Sequence, residues 1–179
     1  MDAKAFRSAA LQQLTNDVGV YALCDLDCVP IYVGQSVDGI RARVRRHLTS
    51  ARSDIIANRQ IDVWEIGFVL AWPVEEVTQI PDLEAFLFTR YDAQSRLMNG
   101  KTLPVKKELP FAEPVHQSVQ IVDDAELQIR RDPANRLPRQ IAQYLRLVDY
   151  IQTVKDAPHL KRSLDAHFER LIKYHRSFL

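Results

Sequence analysis

Residues 19–21 read Gly-Val-Tyr and residues 32–34 read Tyr-Val-Gly, and this palindromic pair decides the fold. Each triplet sits in a run of β-formers, 18–24 and 29–34. The intervening Asp25-Leu26-Asp27-Cys28 suits a four-residue hairpin loop. With that loop Cys24 faces Val29, so the register places Tyr21 opposite Tyr32 and Gly19 opposite Gly34. Side chains alternate along a strand. Gly19, Tyr21, Tyr32 and Gly34 then share one face, while Val20, Ala22, Ile31 and Val33 face a core. Two phenols beside two positions without side chains make a face that admits a bulky ligand close to the backbone. The plainer alternative is a cross-strand packing pair, and a β-bulge would shift the register.

Working outward, residues 2–14 carry Phe6, Ala9, Ala10 and Leu14 at helical spacing. Residues 39–50 read as a second helix with Ile40, Val44 and Leu48 as its apolar stripe. From 62 to 72 the chain alternates, so Trp64, Ile66, Phe68, Leu70 and Trp72 are expected on one face of a strand. Pro81 opens a helix that runs to about Met98 and stops at Asn99-Gly100. The prolines at 104, 110 and 114 mark an extended connection. Residues 118–122 suit a short extra strand and 123–131 a short helix. Two longer helices close the chain, one with Leu137, Ile141, Leu145, Val148 and Ile151, the next with Leu160, Leu164, Phe168, Leu171 and Ile172. The expected class is α/β in the α+β sense. A three-stranded antiparallel sheet flanked by helices occupies residues 1–110, and a mainly helical extension occupies 111–179.

The 179 residues carry 24 basic and 23 acidic side chains, a net charge of +1, with 46% apolar types. A chain of this size and composition supports its own core and is neither disordered nor a disulfide scaffold. No apolar run approaches 18 residues, so no membrane span is expected. Residues 2–14 lack the apolar segment of a secretory signal. Only two cysteines occur, Cys24 and Cys28, and an intracellular, cytoplasmic location is the simplest reading. With no second Cys or His pair nearby, they are not expected to bind zinc. Locally, residues 41–52 hold five arginines (41, 43, 45, 46 and 52), one histidine and no acid. From 133 to 179 there are nine Lys or Arg against four acids. Such patches suit a polyanion, or are simply solvated helix faces.

The two tyrosine motifs and their spacing resemble the signature of the GIY-YIG nuclease family, over about residues 18–100. The resemblance implies a catalytic arginine on the next helix, followed by a His or Tyr one turn later. Arg43 and His47, at i and i+4, match; Arg41 is the competitor on the opposite flank. It further implies a metal-binding glutamate on a later helix and an asparagine beyond it, which point to Glu84 and Asn99. Glu84 has the alternative role of a first-turn acid, and Asn99 that of a helix cap. Gln35 stands where several relatives carry Lys or Ser.

The activity implied is metal-dependent hydrolysis of DNA phosphodiester bonds, of a restriction, mobile-element, phage-defence or repair type. The catalytic set is Tyr21, Tyr32, Arg43, His47, Glu84 and Asn99. Glu84 would hold Mg2+ (or Mn2+), and Arg43 would give the phosphate a planar donor fork. Tyr21 is expected to activate the attacking water, as a phenolate or through a neighbour, which calls for a cationic environment. Tyr32 would bond the phosphate or the water, His47 would relay a proton, and Asn99 would position a ligand or a backbone segment. Candidate nucleic-acid contacts are Gly34, Gln35, Arg41, Arg45 and Arg46. The partner is DNA, not a membrane, with the basic tail binding DNA or forming a homodimer. The alternative is a non-catalytic nucleic-acid-binding or scaffold module that keeps the fold.

Overall fold

A computed structural model describes residues 2–50 and 53–179, which leaves Arg52 of the basic stretch outside the described residues. In chain order the elements are α1 (Ala3–Gln13), β1 (Gly19–Cys24), β2 (Pro30–Ser36), α2 (Ile40–Thr49) and α3 (Asp54–Ala57). Next come β3 (Phe68–Pro73), α4 (Ile80–Gln94), β4 (Gln117–Gln120), α5 (Asp124–Arg131), α6 (Pro133–Thr153) and α7 (Pro158–Phe178). The class is α+β. The sheet is wholly antiparallel with strand order β2-β1-β3-β4. It therefore has four strands where three are expected. The fourth pairs Val69 with Val119 and comes from beyond residue 110.

The hairpin register also differs. Tyr21 pairs with Gly34, Leu23 with Tyr32 and Gly19 with Ser36. The loop is tighter than four residues. The Asp25 amide donates to the Val29 carbonyl at 2.9 Å, and Cys28 adopts φ 62°. A left-handed last residue is the signature of a three-residue loop. The Asp25 carboxylate secures the turn by accepting the amides of Asp27 and Val29, both at 2.9 Å. A second irregularity between Leu23 and Cys24 shifts the ladder again. One such slip would turn every side chain over; two restore the original faces. Tyr21 and Tyr32 therefore still share a face, as diagonal neighbours with ring centroids 6.3 Å apart.

That face is core rather than an open platform. Tyr21, Leu23, Val69, Ala71 and Val119 pack with Leu11, Leu14, Ile40, Val44, Leu48 and Leu127. Val20, Ala22, Val33, Leu70 and Trp72 pack on the other side with Ile80, Leu83 and Leu87 of α4. Ile31 joins the first cluster, not the second. Trp64 lies outside β3, in a 3-10 turn from Val63 to Glu65 that Asp62 caps by accepting the Trp64 amide at 3.1 Å. The alternation seen in the sequence therefore overruns the strand.

Gly34 makes the tyrosine arrangement possible. A Cβ there would sit 2.7 Å from the Tyr21 hydroxyl oxygen and 2.8 Å from Tyr32 Cε1. Gly34→Ala is expected to cost about 1–3 kcal/mol through overpacking and to displace both rings. Chemical denaturation of variant and parent measures the cost, and equal midpoints would refute the packing argument.

The helix after Pro81 ends at Gln94, with Ser95 as its C-cap, rather than at Asn99-Gly100. The chain then runs beside β2, where the Met98 amide donates to the Ile31 carbonyl at 2.7 Å.

The tail helices bury a polar face. Expected core residues Ile141, Leu145 and Phe168 are each more than half exposed, and Ile172 is exposed too. In their place α6 buries Arg136, Gln140 and Gln143, and α7 buries Ser163, His167, Arg170 and Tyr174. The reason is the surface they meet, the acid-rich ends of the hairpin loop and the 3-10 turn. Arg136 donates through Nε and Nη2 to Glu65, and Nη1 donates to Asp27 at 2.7 Å. Glu65 also accepts from the Tyr174 hydroxyl at 2.9 Å and from Gln140 at 3.1 Å. Arg170 Nη1 donates to the fully buried Asp25 at 2.6 Å. Burial works against the Arg136 charge, but the Glu65 carboxylate outweighs it and holds the guanidinium above its ordinary pKa. Arg139 grips Asp62 through two hydrogen bonds, at 2.7 and 2.9 Å. No helix among the described residues is long and apolar enough to cross a membrane.

Candidate active site

The centre of the site is the Tyr21 phenol, which β1 carries into the layer beneath α2. Its oxygen lies 2.7 Å from His47 Nε2, and His47 Nδ1 lies 2.6 Å from Ser53 Oγ. Tyr21, His47 and Ser53 are all buried. The Tyr32 ring meets the His47 ring edge-on, with centroids 5.8 Å apart. Tyr32 is only partly buried, so of the two phenols it is the one that reaches solvent. Spacing on α2 puts His47 one turn beyond Arg43, and the apolar stripe Ile40, Val44 and Leu48 turns that flank toward the sheet.

Burial pushes the Tyr21 pKa well above the ordinary value, and neighbouring Tyr32 adds to this. Arg43 opposes the shift without reversing it, and Glu84 reinforces it. Desolvation outweighs one guanidinium here, so a Tyr21 phenolate needs more positive charge than Arg43 supplies, while the phenol hydrogen-bonds His47.

Arg43 is the arginine beside Tyr21. Its guanidinium is half-buried, and its Nε is shielded from solvent with no hydrogen-bond partner among the described residues. Arg41 points the other way. Its Nε donates to the Leu14 carbonyl at 2.6 Å, which commits it to the α1 side of α2. Arg45 and Arg46 are exposed, as is Gln35 on β2.

Glu84 comes from α4, on the opposite face of the sheet, yet within electrostatic reach of the Tyr21 phenol. Burial alone raises its pKa to about 7. It has no ion-pair or hydrogen-bond partner among the described residues. The sign of its linkage follows. A carboxyl whose folded pKa is raised contributes stability in full below its unfolded pKa, near 4.5, and this is lost as the pH rises through about 7. Glu84→Gln is therefore expected to raise the melting temperature by about 2–4 °C at pH 8, with little change at pH 4. Thermal denaturation at the two pH values checks this, and an equal shift at both would remove Glu84 from the pH dependence.

Asn99 lies beside the site but faces the backbone. Its Nδ2 donates to the Val33 carbonyl at 2.6 Å and its Oδ1 accepts the Val33 amide at 3.0 Å. It staples the outer edge of β2 and so fixes Tyr32 and Gly34. Of its two expected roles, the geometry supports positioning of a backbone segment, and it is not a helix cap.

Ser53 was not legible in the sequence, because it reaches His47 from beyond the end of α2. The tail histidines serve elsewhere. His167 Nε2 meets the Gln60 carbonyl at 2.8 Å, and burial lowers its pKa to about 4. Among the described residues no three His, Cys, Asp or Glu side chains cluster as a metal cage. Cys24 is buried and Cys28 exposed, and both are free thiols.

Comparison with known proteins returned nothing: no protein-family model, no curated protein and no solved structure matches the chain.

Proposed function

We propose that the chain is a metal-dependent endonuclease of GIY-YIG type, in which β1, β2 and β3 are the family's three strands and β4 is an addition. One observation carries the reading. Arg43 and Glu84 both act on the same buried phenol: Arg43 hydrogen-bonds it yet keeps a shielded Nε with no partner among the described residues, and Glu84 is half-buried with no ion pair among them. Half-buried charges left in this way are costly. A ligand that brings an anion to Arg43 and a cation to Glu84 removes both costs at once, and a phosphodiester with a divalent metal is such a ligand.

A lone carboxylate suits Mg2+, which keeps several of its waters and takes phosphate oxygens as further ligands. Glu84 would hold the ion, which when bound supplies Lewis-acid stabilisation of the phosphate charge. Arg43 binds the phosphate through its planar, permanently charged fork. Tyr32, the phenol with solvent access, hydrogen-bonds a phosphate oxygen or the attacking water. His47, held between Tyr21 and Ser53, takes up the proton that the attacking water releases. Tyr21 and Asn99 are positioning residues, one through His47 and the other through β2.

The test is incubation of purified protein with supercoiled plasmid and with structured oligonucleotides, in Mg2+ and in EDTA. Nicking that requires the ion is expected. DNA binding without cleavage across all substrates would favour the non-catalytic module instead.

A further inference from the structure

Helices α1 and α2 enclose a cleft of about 530 Å3 on the flank of α2 away from Arg43 and His47. Leu11 and Leu48 contribute apolar walls, while Lys4, Arg7, Arg41 and Arg45 supply positive charge. One carboxylate borders it, that of Asp2, which accepts the Lys4 amide at 3.4 Å as the cap of α1. Arg7 is the telling residue. Its guanidinium is half-buried, and its Nε is shut off from solvent with no hydrogen-bond partner among the described residues. No carboxylate among the described residues pairs with it. Burial lowers its pKa, and its charged neighbour Arg130 lowers it further. Arg130 is itself paired with Glu126 at 2.7 Å, so the cost that an entering anion would relieve is the partial desolvation of the unpaired Arg7 guanidinium.

We propose that this cleft is a second phosphate subsite for the nucleic-acid strand whose scissile phosphate lies at Arg43. The proposal rests on the nuclease reading. The path between the two positions crosses the outer ridge of α2. Ala42 and Arg46 lie exposed there, a small residue that lets a backbone approach and a cation that meets its charge. Arg43, Arg46, Arg45 and Arg7 then form a cationic track from one flank of α2 to the other. A free small anion would need the cleft alone and gives no account of the track over the ridge.

The test uses the cleavage-silent Glu84→Gln protein in EDTA, with a short fluorescein-labelled DNA duplex followed by anisotropy over a salt series. Arg7→Gln and Arg45→Glu are each expected to weaken binding about tenfold. Each should also flatten the dependence of log affinity on log salt by about 0.9 per lost contact. Arg45 is exposed, so its replacement tests the cleft even if Arg7→Gln perturbs the packing of α1. Lys155→Gln, exposed beyond the end of α6, is the control for a general loss of charge and should change affinity less than about twofold. Variant affinities and slopes equal to the parent's, or an equal effect from Lys155→Gln, would overturn the subsite while leaving the nuclease reading standing. Failure of the parent and every variant to bind would overturn both.

Discussion

Glu84→Gln should abolish magnesium-dependent strand scission, by about a thousandfold or more, while DNA binding in EDTA stays within a few-fold of the parent. A loss of that size corresponds to about 4 kcal/mol of transition-state stabilisation, a reasonable share for the one protein group that would hold the metal. The substitution keeps the shape of the side chain and removes its charge. Because Glu84 is half-buried and unpaired, the same change should stabilise the protein at pH 8. Activity and stability would thus move in opposite directions, which no unfolding artefact produces. Time courses of plasmid nicking, with melting curves on the same samples, supply both numbers. A variant that still cleaves at the parent rate would remove Glu84 from the active site and leave its burial without a function.

The second large effect belongs to Arg136. Its replacement by alanine leaves Glu65, buried at 2% exposure, without its cation and deprives Asp27 of its closest partner. Stranding a buried carboxylate in this way typically costs about 3–5 kcal/mol. For a chain of this length the melting temperature should fall by about 10 °C or more. Thermal denaturation near neutral pH checks it. Combining Arg136→Met with Glu65→Leu should recover much of the loss, because no unpaired charge remains. A drop of only a degree or two for the single variant would mean that water already reaches the network.

Much of the architecture could be read from local pattern. The hairpin, α2, the helix opening at Pro81 and the two tail helices all carry clear periodicity or punctuation. The structure departs from local pattern where distant parts of the chain meet. A three-residue loop and a second one-residue shift changed the partner of Tyr21 from Tyr32 to Gly34, yet kept both rings on one face. The alternation through Trp64 and Ile66 looked like strand because apolar spacing alone does not reveal a 3-10 turn. The stripes in α6 and α7 are only partly buried, Leu137 and Leu160 inside but Ile141, Leu145 and Phe168 exposed, for a different reason. Apolar spacing predicts burial against an apolar surface, whereas these helices meet Asp25, Asp62 and Glu65 and bury their cations. At the site, Arg43 and His47 are legible as an i, i+4 pair, which is what favours Arg43 over Arg41, while the Leu14 carbonyl that holds Arg41 leaves no trace in the sequence. Ser53 and Arg7 left no local signal, since their significance lies in what surrounds them in space.

The ion pair between Asp25 and Arg170 has a consequence for biosynthesis. Its partners are separated by 145 positions. During translation the hairpin emerges early, but the guanidinium that compensates its buried carboxylate is added near the end. At cellular synthesis rates of about 5–20 residues per second, the gap lasts roughly 7–30 s. Through that interval Asp25 has at most the more distant Arg136, at 3.7 Å, as a cation partner, so the hairpin loop cannot bury its carboxylate in the final form. Ribosome-bound chains stalled before α7 should accordingly expose the hairpin to proteases that the finished protein resists.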